Sequence, residues 1–147
     1  MESLTTDPEA YGATLAENLL RSDEYWESRL RNGLLDAPRV LFFAVEDGNP
    51  VGMVACMPTE RERTAHVISM YVARPYRGQG LARQLLERLI EELKQSGGVD
   101  TLELEANPLQ IPAVTLYRSL GFEVYATDEV VRSDGSRLTE LMMRRTV

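Results

Sequence analysis

Two glycines set among hydrogen-bond donors, in the run Arg77-Gly78-Gln79-Gly80-Leu81-Ala82, are the residues of this chain best suited to hold a ligand. The β-prone segment Thr64–Val72 leads into them. A helical pattern over Gly80–Gln95 leads out, with Leu81, Leu85, Leu86, Leu89, Ile90 and Leu93 at i, i+3/i+4 spacing. Glycine lets a backbone approach a ligand closely, and the first N–H groups of a helix point at it with the positive end of the dipole. Such a turn binds phosphate without a lysine; it is also the ordinary form of a tight turn. Three nucleotide readings compete. A Walker loop needs Gly-Lys-Ser/Thr, and Leu81-Ala82 after Gly80 exclude it. A dinucleotide fingerprint needs a small residue where Arg83 stands, which weakens that reading, although Glu103 and Glu105 supply acids about 20 residues on. The third is a coenzyme A pyrophosphate turn.

Other side chains able to do chemistry are few. Glu103 and Glu105 share one face of a predicted strand, Thr101–Ala106, opposite Leu102, Leu104 and Ala106. A carboxylate there can take a proton from an amine or be simply solvated. Tyr117 falls in the apolar stripe of a predicted helix, Pro112–Leu120, with Ala113, Leu116 and Leu120. His66 is the only histidine and titrates in the useful range, but it lies well ahead of the glycine turn. Cys56, in an apolar strand with no activating neighbour, reads as a small buried hydrophobe.

The elements that must position these groups follow in order. Asp7-Pro8 and Ser22 read as helix starts, and Trp26 on the second helix reads as core or cleft wall before Asn32-Gly33 stops it. Leu41–Val45 and Val51–Met57 form a hairpin around Asp47-Gly48-Asn49-Pro50. In Thr64–Val72, alternation places His66, Ile68, Met70 and Val72 on one face, with Val67, Ser69 and Tyr71 on the other. Phe122–Val131 and Leu138–Arg144 read as strands joined through Ser133-Asp134-Gly135-Ser136. The result is a single α/β domain spanning 1–147, a mixed, twisted sheet covered by helices on both faces.

Composition narrows the partners. A net charge of −7 argues against a nucleic-acid partner, which wants a basic face, and leaves room for a cationic small molecule or a basic peptide end. No apolar run approaches the ~18 residues of a membrane span, and the acidic N-terminus is unlike a signal peptide. One cysteine excludes an internal disulfide framework and fits the cytoplasm; with one histidine beside it, no metal site is expected.

Arg77, Gly80 and Ala82 match the Q/R-x-x-G-x-G/A signature of the GCN5-related N-acetyltransferase family. A second family motif follows at the fitting distance, Ala113-Val114-Thr115-Leu116-Tyr117-Arg118-Ser119-Leu120-Gly121-Phe122. On these two motifs the chain resembles that family over about Leu41–Arg145. The resemblance implies acetyl-CoA as co-substrate, without a metal, and a primary amine as acceptor, either a small molecule or a peptide N-terminus or lysine. It implies that backbone N–H groups from Gly78 through Gln79, Gly80, Leu81 and Ala82 to Arg83 hold the pyrophosphate. Met70, Tyr71 and Val72 would pair with the pantetheine arm as a false strand. Tyr117 would protonate the departing thiolate. Glu105, twelve residues earlier, is the first choice of base, ahead of Glu103 and Tyr71. Where the family commonly has Asn three positions before Ala113, this chain has Gln110, so the cofactor contact stays there or passes to Asn107. The family's first strand and most of its first helix have almost no room in residues 1–7, so the N-terminus reads as shortened. An unpaired edge at the Leu41 hairpin would then favour a homodimer. The alternative function is a non-catalytic acyl-CoA-binding module of the same fold.

Overall fold

The computed structural model describes residues 40–131 and 135–147, with Ser22 and Glu24 besides. The expected helices starting at Asp7 and Ser22, the place of Trp26, and the first half of the Ser133–Ser136 turn lie outside the described residues. Six strands form one sheet in the order β1-β2-β3-β4-β6-β5. In chain order these are β1 (Val40–Glu46), β2 (Asn49–Pro58), β3 (Thr64–Val72), β4 (Thr101–Ala106), β5 (Glu123–Val131) and β6 (Arg137–Thr146). Helix α1 (Leu81–Ser96) connects β3 to β4, and α2 (Ile111–Ser119) connects β4 to β5. All neighbours are antiparallel except β3 and β4. A parallel pair needs a crossover, and α1 is that crossover.

Local sequence accounts for most of these elements. Asp47 and Gly48 both adopt positive φ (49° and 80°), the geometry of a tight hairpin turn, and join β1 to β2. Helix α1 buries Leu85, Leu86, Leu89, Ile90 and Leu93, the stripe its spacing dictates, and stops at Gly97 in the left-handed conformation. The stripe packs on Val54, Cys56, Ala65, Val67, Leu102 and Leu104 in one cluster that α2 joins through Val114, Tyr117 and Leu120. Both described helices therefore cover the same face of the sheet. The helical patterns expected for the opposite face lie within residues 1–39, outside the described part.

Strand β3 departs from the expected alternation. Ala65 and Val67 are buried, yet so is Val72, which is of opposite parity. Ser69 adopts a φ of 55°, and the β2–β3 register shifts between Met53 and Ala55. One extra residue in β3 makes a bulge, and every side chain beyond it changes face. Val72 consequently belongs with Val67 in the core, not with His66 and Ile68 as a strict period of two would have it. Beside the bulge the parallel pairing ends: β3 and β4 share only Thr64↔Thr101, Ala65↔Leu102 and His66↔Glu103 before parting. Arg63 fixes where that pairing begins. Its carbonyl accepts the N–H groups of Asp100 (2.8 Å) and Thr101 (3.2 Å), while its guanidinium donates to Asp100 and to the Gly97 carbonyl.

A β-branched side chain tolerates positive φ badly, so Ser69→Val should cost about 1–3 kcal/mol. Ser69→Gly should be close to neutral. Urea unfolding of the two variants against wild type checks this; equal stability of all three would contradict the bulge.

Candidate active site

The parting of β3 from β4 leaves a cleft of about 590 Å³. Met70, Tyr71 and Val72 at the end of β3 form one wall. Tyr76, Arg77, Gly78, Gly80, Leu81, Ala82 and Arg83 form the second, and Gln110, Pro112, Ala113, Leu116 and Tyr117 the third. Among the described residues no carboxylate lines it, whereas two arginines do.

The glycine turn is built by conformation. Gly78 and Gly80 sit at φ 73° and 82°, and a Cβ on either would meet nothing within 4 Å. The glycines are required by their left-handed backbone, and the space before them stays open for a ligand. Gly80 is the N-cap of α1, whose first turn carries no acidic residue, so its free N–H groups and dipole face the cleft unopposed. Arg77 staples this turn to β3: its Nε donates to the Val72 carbonyl at 2.8 Å, and its guanidinium lies 5.9 Å from the Tyr71 ring centre. Arg83 reaches across to α2, donating to Ser119 Oγ at 2.6 Å. Tyr76 is tied back by a hydrogen bond to Glu46, which raises its phenol above the usual tyrosine range.

The side chains of Gln79 and Asn107 stand off this wall. Gln79 turns its amide to the Pro75 carbonyl at 2.9 Å. Asn107 is buried, and its Oδ1 accepts the Leu109 N–H at 2.8 Å, shaping the loop that delivers Gln110. In both, a local polar bond wins over the cleft. Gln110, by contrast, lines the cleft itself. Tyr76, Pro112 and Leu116 also line it and were not among the residues singled out from sequence; Leu116 lies one position from Tyr117, and its helical stripe was the available signal.

Tyr117 both packs and faces the cleft. It is 9% exposed, with its ring edge-on to Phe122 at 6.1 Å. Burial pushes its phenol up to about 12, so it stays a proton donor throughout the neutral range.

The opposite face of the sheet carries the carboxylates, and the two differ. Glu103 is buried at 3% exposure and bound to Arg61, which also hydrogen-bonds Tyr125. That occupied carboxylate answers a structural need and leaves Glu105 as the accessible one. Glu105 is paired with His66: Nε2 to Oε2 is 2.6 Å. Cys56 is buried, and burial raises its thiol, the opposite of an activated nucleophile. Among the described residues no three His, Cys, Asp or Glu side chains cluster as a metal site.

The fold is shared with solved acetyltransferases. One is a ribosomal-protein-alanine N-acetyltransferase from Brucella melitensis, with a TM-score of 0.72 and 27% identity, covering 99% of this chain and 88% of that one. Another is yncA, a putative acetyltransferase from Salmonella typhimurium solved with its cofactor acetyl-CoA, with a TM-score of 0.73 and 24% identity, covering 99% and 82%. Residues 4–122 match the model of the acetyltransferase (GNAT) family, and the chain belongs to that family. In sequence it is 29% identical over 130 residues to the L-amino acid N-acetyltransferase AaaT of Escherichia coli, covering 86% of this chain and 77% of that protein. The chain spans about half the length, or less, of other curated relatives it matches.

The raised phenol of Tyr117 has a measurable consequence. A folded-state value above the unfolded one stabilises the fold fully below about pH 10 and loses that contribution as pH rises towards 12, about 2–3 kcal/mol in all. Wild type should therefore lose stability between pH 10 and 12 more steeply than Tyr117→Phe, measured by urea unfolding across that range. Parallel curves would place the Tyr117 hydroxyl in water.

Proposed function

We propose that this chain transfers the acetyl group of acetyl-CoA to a primary amine by direct attack within a ternary complex. The observation that carries the reading is the division of labour across the sheet. The glycine turn and a protonated Tyr117 share one cleft, while Glu105 stands on the opposite face, next to the row where β3 and β4 part. Among the described residues the lining suits an anionic co-substrate with an apolar arm: a helix start without acids, no carboxylate, and apolar walls from Met70, Val72, Ala113 and Leu116. The acetyl-CoA of the yncA structure, which shares this fold, supports the same choice.

Acetyl-CoA would supply the acetyl group as a thioester; the chain's own residues supply position and protons. Backbone N–H groups from Gly78 to Arg83 hold phosphate oxygens. The end of β3 at Met70, Tyr71 and Val72, which lines the cleft, aligns the pantetheine arm as an added strand. Glu105 accepts the proton that an ammonium acceptor, with a pKa of about 10.4 for a lysine-like amine, must lose before it can attack. Tyr117 holds the proton needed by the departing sulfur. A direct route is favoured because the one cysteine is buried and not activated. The acceptor is a small-molecule amine or a peptide N-terminus or lysine; relatives named for free amino acids and for a ribosomal protein's alanine span that range. A homodimer through β1 belongs to the same reading, since β1 is the outermost of the described strands and Leu41, Phe43 and Val45 on one of its faces are exposed.

Acetyl-CoA should raise the melting temperature, and Gly80→Val should abolish the shift, because a branched side chain at φ 82° both distorts the turn and fills the space before it. A folded Gly80→Val protein with normal CoA binding would remove the pyrophosphate turn. Release of free CoA across a panel of amino acids, polyamines and peptides tests the reaction. Tyr117→Phe should lower turnover by ~10²–10⁴ with little change in acetyl-CoA affinity. Tight CoA binding with no transfer to any amine would favour the binding module instead.

A further inference from the structure

His66 occupies the last row in which β3 and β4 pair, opposite Glu103, and its Nε2 lies 2.6 Å from Oε2 of Glu105. A contact that short needs a proton between the two atoms, so the imidazole N–H donates and the carboxylate accepts. One carboxylate oxygen is thereby engaged while the other stays available. Both partners reach water, with side-chain exposures of 21% for His66 and 38% for Glu105.

The remaining groups around the pair are accounted for. Glu103 on β4 is bound to Arg61 from the β2–β3 loop, which hydrogen-bonds Tyr125 on β5 as well. Arg144 on β6, cross-strand from Glu103 and Glu123, lies over the Tyr125 ring at 4.9 Å. Met57, cross-strand from His66, and Met142, cross-strand from Glu105, carry no charge. Among the described residues, His66 is the one ionisable group recorded in contact with Glu105.

We propose that His66 is a positioning residue that aims Glu105 at the acceptor and makes its use as a base depend on pH. The inference rests on Glu105 being the base of the proposed reaction. With His66 neutral, its N–H holds Oε2, and Oε1 takes the proton: the ammonium N–H bond breaks, an O–H bond forms, and the nitrogen keeps the electron pair for attack. The proton then leaves to water, and His66 keeps its own N–H throughout. With His66 protonated, the same transfer would leave an imidazolium beside a neutral acid and lose the ion pair. An imidazolium at this distance would hold the carboxylate's charge in an ion pair and so oppose its taking the acceptor's proton. Transfer should therefore switch off as His66 protonates.

Because His66 is the only histidine, its ring signals in an NMR spectrum need no assignment. In wild type the Nε2 proton should appear as a downfield, hydrogen-bonded signal, and Glu105→Gln should move or remove it. The acid limb of kcat/KM should fall about tenfold per pH unit, with its midpoint at the pH where the ring signals move. His66→Gln keeps an amide donor for Glu105 but does not titrate. It should retain activity at pH 8 within about tenfold and lose that limb. An Nε2 signal indifferent to Glu105→Gln overturns the pairing, and an acid limb unchanged in His66→Gln overturns the role. Absence of transfer by wild type at every pH instead overturns the proposed reaction, and this inference with it, even if the NMR signature of the pair is intact.

Discussion

Everything in this site depends on two parallel strands that stop pairing after three rows. A parallel ladder left intact would bury its N–H and C=O groups between β3 and β4, and no ligand backbone could add to either strand. The bulge at Ser69 coincides with the break. It rotates the end of β3 so that Val72 enters the core, while Met70, Tyr71 and Val72 still contribute to the cleft wall. The cost of a positive φ at a serine is offset by the packing of α1 and β2 on either side of the distortion. At the other end Arg63 grips Asp100 and the carbonyl of Gly97, so the two strands start together and part beyond the first turn.

The division of the sheet into two chemically unlike faces follows from that geometry. On the helix-covered face lie the core, the glycine turn and a buried phenol. Burial there keeps Tyr117 protonated, as the same burial keeps Cys56 an un-ionised thiol. On the other face the charged side chains compensate one another: Arg61 with Glu103, His66 with Glu105, Arg144 over Tyr125. In the proposed reaction, burial on one side suits a proton donor, and contact with water on the other suits a proton acceptor.

The arginines of the glycine turn tie its backbone to the neighbouring elements. Arg77 spends its Nε on the carbonyl of Val72, and Arg83 binds Ser119 at the end of α2. Each therefore holds two walls of the cleft at a fixed separation. The proposed phosphate contacts are backbone N–H groups and the helix dipole, which need no side chain, and these hydrogen bonds of the arginines fix the shape of the site.

Local pattern alone determined the element order, the leucine stripe of α1, the hairpin at Asp47-Gly48, the left-handed glycines and the alternation of Glu103 and Glu105, because each depends on residues a few positions apart. It also brought out the two motifs that mark the family, since their spacing is a property of the chain. Tertiary structure decided what needs a partner from a distant segment. The bulge in β3 is invisible to a period-two reading, because it answers to the register of β2. Gln79 and Asn107 turned to neighbouring backbone groups instead of the cleft, a competition that only closed loops settle. Glu103 and Glu105 are equivalent in sequence, and only Arg61 and His66, arriving from a loop and from β3, make one a buried structural carboxylate and leave the other poised. His66 lies far from Glu105 along the chain; the parallel pairing of β3 with β4 is what sets them side by side.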